Sequence, residues 1–366
     1  MNESRHYLQI DILKALAIIS VIVLHTIPPN MVKHPVSIFI IYQAVPVFFV
    51  LMAVNALMSF KRRNYTVLSA IYPNYLKSRF ERIVYPLIVV WILSLVIAVL
   101  LNKEIYIGTM TLIGYMPLSG PGNYFISILL QFVLLFPILY WLYKYNPKYV
   151  LIAGFILNFA FEVLAAQVPA LGNNSYWYRA CILRYLFLIV LGMWLVDNFE
   201  PARLKSLIKR KNLLIGLVVS IIYITGVSIF SLKFPYFQGS WQPQTVLSFF
   251  YPLFLCALGI KYLPSVSNRV WNSFRVVGKA SYHIFLVQML FFVSGLQLII
   301  FDLNLQNVLL IKILAVSIIN VLILVGLGLL FYYMDSKIAF VFNRCFSGTY
   351  NLYKTGLLFY NRKLRG

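Results

Sequence analysis

The chain has 366 residues, of which 61% are hydrophobic, 17% aromatic and only 11% charged. A soluble domain of this length cannot hide so much apolar surface, so the composition describes a polytopic membrane protein. The net charge of +22 does not point to a nucleic-acid partner, because Lys and Arg lie between apolar runs and not on one compact basic face.

About ten runs are long enough to cross a hydrocarbon core of about 30 Å as helices. They fall near 8–27, 36–60, 83–101, 124–143, 149–166, 180–199, 213–232, 244–262, 281–301 and 309–333. The expected fold is therefore all-α, with about ten transmembrane helices. The first run ends at Thr26-Ile27-Pro28-Pro29 without a small-residue cleavage site, so it is expected to be retained as a span.

That first run carries Asp11, Lys14 and His25. Asp or Lys at the centre of a membrane helix costs roughly 2.5–3.5 kcal/mol on insertion scales, so such residues default to a functional hypothesis. A rotation of about 100° per residue puts Asp11, Lys14, Ile18 and His25 on one stripe. His25 lies about 25 Å along the helix from Leu8 and about 16.5 Å from Lys14. The two side chains share a face without touching, so the stripe reads as one wall of a passage with two levels. Asp11 and Lys14, three residues apart, also suit a simple neutralising pair. For His25 the plain alternative is a neutral imidazole bonded between helices.

The second run contains Pro46, which predicts a tilt or kink. Before the third lies Lys77-Ser-Arg-Phe-Glu-Arg-Ile-Val-Tyr-Pro86. The spacing of Arg79 and Arg82 aims two guanidinium forks at one spot, a geometry that suits phosphate; on spacing alone, ordinary anchoring at the interface outweighs it. The connection 102–123 holds Gly114, Pro117, Gly120, Pro121 and Gly122 and reads as a structured lip. Glu162, late in the fifth run, sits at a depth comparable to His25. It is a candidate for orienting that imidazole, with packing an equal alternative. Arg184, opening the sixth, suits either an anionic acceptor or a pair with Glu162. Ser281, Tyr282 and His283 open the ninth run, and Gln288 lies about two turns deeper; any of them can line the passage, while capping is the plain role for Ser281. Lys312 falls near one end of the last run, where it can snorkel. Cys181, Cys256 and Cys345 form no CxxC pair, and no metal site is expected.

Lys and Arg set the orientation. They crowd one side, at 61–82, 203–211, 261–279 and 337–365, while the other side holds only Lys33, Lys103, Arg179, Arg184 and Lys233. Both termini are expected in the cytoplasm. Residues 1–337 form the membrane domain, and 338–366 a basic, aromatic tail along the inner membrane surface. Walker A, GxSxG and HExxH motifs are all missing, which disfavours an ATPase, a serine hydrolase and a zinc protease.

Taken together, these motifs resemble the acyltransferase-3 membrane proteins, which O-acetylate surface polysaccharides and related glycans. Leu8-x-x-Asp11-x-x-Lys14-Ala-x-Ala-x-x-x-Val-x-x-x-His25 resembles the family's opening helix, and Val45-Pro-Val-Phe-Phe-Val-Leu-Met its second. Arg79-x-x-Arg82 with Pro86 resembles its cytoplasmic Arg-x-x-Arg element. Gly120-Pro-Gly-Asn123-Tyr-Phe, Arg184-Tyr-Leu-x-x-x-x-x-Gly-Met193 and Gly278-Lys-Ala-Ser-Tyr-x-Ile-Phe-Leu-Val-Gln288 resemble its fourth, sixth and ninth spans. The resemblance covers about 8–333. It implies an acyl-CoA donor, usually acetyl-CoA, with no permanently bound cofactor. It also implies a glycan or lipid-linked sugar acceptor, contact with membrane lipid, and a multi-pass protein of the cytoplasmic (inner) membrane. By carry-over His25 is catalytic, as general base or as a transient acyl-histidine, with Glu162 as its candidate partner. Arg79 and Arg82 handle the donor, joined by Lys14 in a cationic inner level suited to CoA phosphates; Asp11, Asn123, Arg184, Ser281 and Tyr282 support. The sequence departs from the family in two places. Lys14 stands where Arg is usual, which loses the bidentate fork, and Gln288 stands where His is common. The competing expectation is a secondary transporter or a flippase for a lipid-linked intermediate. Transporters place charges near mid-membrane in both halves, whereas here they cluster in the first three spans.

Overall fold

In a computed structural model the apolar runs form helices, whose internal hydrogen bonds satisfy the backbone without water. The structure describes residues 7–66, 73–171, 176–199, 211–296, 312–335 and 337, and no strand occurs among them. The expected tail at 338–366 lies outside the described residues, as does 297–311 between the last two runs.

The principal helices are α1 (Leu8–Thr26), α2 (Ala44–Arg63), α3 (Tyr85–Leu100), α4 (Tyr124–Tyr145), α5 (Pro147–Gln167) and α6 (Leu186–Val196). They continue with α7 (Lys211–Ser228), α8 (Phe250–Tyr262), α9 (Arg269–Lys279), α10 (Ser281–Ser294) and α11 (Lys312–Asp335). Among the described residues, by length and composition, seven helical segments can cross a membrane, or eight if the bent pair α9–α10 counts as one. The expectation of about ten full spans is thus met only in part. The sixth and eighth runs give shorter apolar helices, Ile182–Val196 and Val246–Tyr262, whose first turns wind as 3₁₀ turns at Ile182–Tyr185 and Val246–Ser248. The ninth run begins at a 64° bend. Before it, α9 is an amphipathic helix in the basic connection between the eighth and ninth runs; Asn268 caps it, its side-chain oxygen accepting from the Trp271 N–H at 2.8 Å.

Two π-turns shape the entries of α2 and α3. Ser37–Ile41 precedes α2, so the break falls before Pro46, which sits in the first turn of the helix. Phe80–Val84 precedes α3, where Pro86 has no N–H to give the carbonyl four residues back.

Helix α1 lies centrally, packed against α2, α8, α9 and α10. Contact with α9 is close enough that a Cβ on Gly278 would overlap the Asp11 carbonyl oxygen. Helix α6 is buried along most of its length between α2 and α5, with Gly192 set against the Val50 backbone. The ends of α2, α4 and α6 are tied at Asp197. It accepts from Lys61 Nζ at 2.5 Å and from the Tyr143 hydroxyl at 2.6 Å.

Candidate active site

Two adjoining chambers run beside α1. The first, of about 610 Å³, is lined by Tyr7, Asp11, Lys14, Asn55, Lys61, Arg62, Tyr75, Arg79 and Arg82 among others. It gathers five cations around one carboxylate. The second, of about 350 Å³, runs from Lys14, Arg82, Ser281 and Tyr282 to His25, Tyr124, Arg179 and Gln244. Its wall between those ends is apolar, with Val21, Phe48, Leu51, Phe125 and Phe285. Lys14, Met52, Arg82, Ile83 and Leu129 line both chambers and mark their junction.

The structure brings several of the sequence candidates together. Lys14 Nζ lies 3.7 Å from Asp11 Oδ1, so the pair forms, and Lys14 still lines both chambers. The Arg79 guanidinium lies over the Tyr75 ring, 5.1 Å from its centre. Arg82 follows it in the π-turn, which is held from across the bundle: the Tyr282 hydroxyl donates to the Ile83 carbonyl at 2.9 Å. His25 is half-buried, its ring centre 5.7 Å from that of Phe292. Among the described residues it makes no hydrogen bond through its side chain. Ser281 does not cap α10, whose N-cap is Ala280.

Others face elsewhere. Glu162 does not line the His25 chamber. It accepts from the Tyr178 hydroxyl at 2.6 Å and faces Arg184 Nε at 4.0 Å, both members of the pair being fully buried. Arg184 is covered by the rings of Tyr178 and Tyr185, at 4.5 and 5.0 Å. Of its two readings, the pair with Glu162 is the one the geometry shows. Asn123 accepts from the Met116 N–H at 3.0 Å and donates to the Gly114 carbonyl and to the Tyr176 hydroxyl. It thereby pins the connection whose last residues, Pro121 and Gly122, line the His25 chamber. His283 turns to Asp335, Nε2 to Oδ2 at 2.9 Å. Gln288 is fully buried outside both chambers.

Three residues of the His25 end were not among the site candidates of the sequence: Tyr124, Arg179 and Gln244. Arg179 entered only as one of the few cations on its side. That scarcity was the available clue, since anchoring does not explain a cation on the sparsely charged face. Among the described residues no group of His, Cys, Asp and Glu is arranged to hold a metal ion.

Fold and site define a helical, multi-pass membrane protein with an internal passage, cationic at one end and with a histidine at the other. A family model described as an acyltransferase domain matches residues 7–334, nearly the whole chain. The chain belongs to this acyltransferase-3 family. Compared with curated proteins and with solved structures, it has no match.

Proposed function

We propose that this membrane acyltransferase moves an acyl group, acetyl in the simplest case, from acyl-CoA to a hydroxyl of a surface polysaccharide or lipid-linked glycan. The observation that carries the reading is the adjoining pair of chambers with a shared wall. CoA has a phosphate-rich nucleotide end and a long, narrow arm ending in the thioester. The five cations around the first chamber suit the phosphates, and the apolar middle of the second suits the arm. Lys14 and His25 are separated by about 16.5 Å along α1, a span for a threaded arm and not for a compact ligand. The cationic end belongs in the cytoplasm on the positive-inside argument, which also puts both termini there; the cytoplasmic membrane is the location that the family resemblance implies.

In this reading His25 is the general base. Its free ring nitrogen takes the proton of the acceptor hydroxyl as that oxygen attacks the thioester carbonyl. The carbon–sulfur bond then breaks, and the leaving thiolate takes the proton back from the imidazolium. In the variant route the imidazole attacks first and the acyl group rests on His25 before reaching the acceptor. The test is turnover of labelled acetyl-CoA by the purified full chain in detergent, with glycan acetylation in cells beside it. His25→Ala is expected to lower both by at least about 100-fold, the scale of general-base catalysis, while CoA binding stays. Wild-type acetylation by His25→Ala sinks the proposal.

A further inference from the structure

The His25 end of the second chamber contains a buried polar atom that the described protein leaves unmet. Gln244 closes the 3₁₀ turn Gly239–Gln244, in the connection that leads into α8. It lines the chamber and is fully buried. Its amide nitrogen donates to the Tyr42 carbonyl at 2.7 Å. A carbonyl can only accept, so this tether fixes which way round the amide stands and leaves Oε1 as its other end. Among the described residues Oε1 has no hydrogen-bond partner. Most buried polar atoms are paired, and an acceptor left unmet in a mainly apolar wall is costly. An amide oxygen accepts from an N–H or O–H and offers nothing to an anion. The ligand that meets it must therefore bring a donor. The arm of acyl-CoA does so: it contains two amides, and the N–H of the last stands two carbons from the sulfur, in fixed register with the thioester. In an apolar passage that N–H has little water to bond, so a protein oxygen at the right depth is what it needs.

We propose that Gln244 Oε1 accepts from the last amide N–H of the acyl-CoA arm, and so sets how far the thioester enters towards His25. This rests on the acyl-CoA reading above and adds to it a donor subsite at the reacting end. The cations of the first chamber hold the phosphates, and Gln244 fixes the register of the arm beyond the junction. Gln244 binds and takes no part in bond making or breaking.

The experiment is equilibrium dialysis on the purified full chain in detergent with three probes. They are acetyl-CoA, an analogue in which the last amide of the arm is replaced by an ester and so lacks the N–H, and adenosine 3′,5′-bisphosphate, part of the nucleotide end alone. Wild-type protein is expected to hold acetyl-CoA about tenfold more tightly than the ester analogue, the scale of one buried hydrogen bond. Gln244→Leu is expected to hold the two alike, at the weaker level, and to bind the bisphosphate as wild type does. A variant that only misfolds loses the bisphosphate as well, and the wild-type comparison, which needs no variant, then decides. Equal binding of acetyl-CoA and the ester analogue by wild type overturns the proposal, and is the result expected if water or the acceptor meets Oε1. A preference that survives in Gln244→Leu overturns it too. Binding of none of the three probes overturns the acyl-CoA reading and the subsite together, whereas binding without a preference for the amide overturns the subsite alone.

Discussion

Glu162 illustrates how a residue's depth and its direction come from different sources. Counting along the fifth run places it level with His25, but a helix turns about 100° per residue, and depth says nothing of which neighbour the side chain meets. The structure turns it to Tyr178 and Arg184, all buried. Removing one member of a buried ion pair strands the other charge, at a cost of about 3–5 kcal/mol. Glu162→Ala is therefore expected to lower the thermal midpoint and yield in detergent. Glu162→Gln, which keeps a partner for the Tyr178 hydroxyl, should do so less. In both, the folded fraction should turn over acetyl-CoA within about twofold of wild type, since Glu162 itself does not line the chamber. A large fall in kcat with unchanged melting would restore the orienting role. His25, by contrast, was legible from residues alone. Its stripe with Lys14 is a property of one helix, and one helix is what residue spacing describes.

Between helices the sequence carried less. The period of Val270, Trp271, Phe274 and Val277 with Asn268 before them is a readable amphipathic helix with a cap, yet its basic residues drew it into the loop. The 64° bend at Ala280 has no Pro or Gly at that position to announce it. The π-turn at Phe80–Val84 depends on Pro86 and also on a bond from a residue 199 positions away, which no local pattern contains. That bond has a functional consequence. It holds the turn carrying Arg82, which lines both chambers, so on the proposed function Tyr282 is expected to position the donor-binding turn. Tyr282→Phe deletes only the hydroxyl, worth about 0.5–1.5 kcal/mol. KM for acyl-CoA is expected to rise about three- to tenfold with kcat little changed. Steady-state kinetics on the purified variant decides it: a fall in kcat at constant KM would mean that the hydroxyl serves the chemistry and not the turn.

At the scale of the molecule, charge asymmetry and passage point the same way. The face with many Lys and Arg is the face on which the first chamber gathers its five cations, and His25 stands at the other end of α1. One chain thus gathers cations on one side and an imidazole towards the other, in adjoining chambers whose shared lining includes Met52 and Leu129. If a single donor occupies both chambers, blocking the junction separates binding from transfer. Met52→Trp adds bulk at a half-buried position that lines both spaces, at a packing cost of about 1–3 kcal/mol that the bundle can absorb. Nucleotide-end binding, read by dialysis of labelled CoA, is expected to stay within about threefold, because the cations below the junction are untouched. Transfer in a single turnover is expected to fall by about 100-fold or more, because a reacting carbonyl held even about 1 Å from its partner loses most of the advantage of proximity. Full transfer by a stably folded Met52→Trp would show that the arm does not pass this point, and would detach His25 from the cationic chamber as parts of one site.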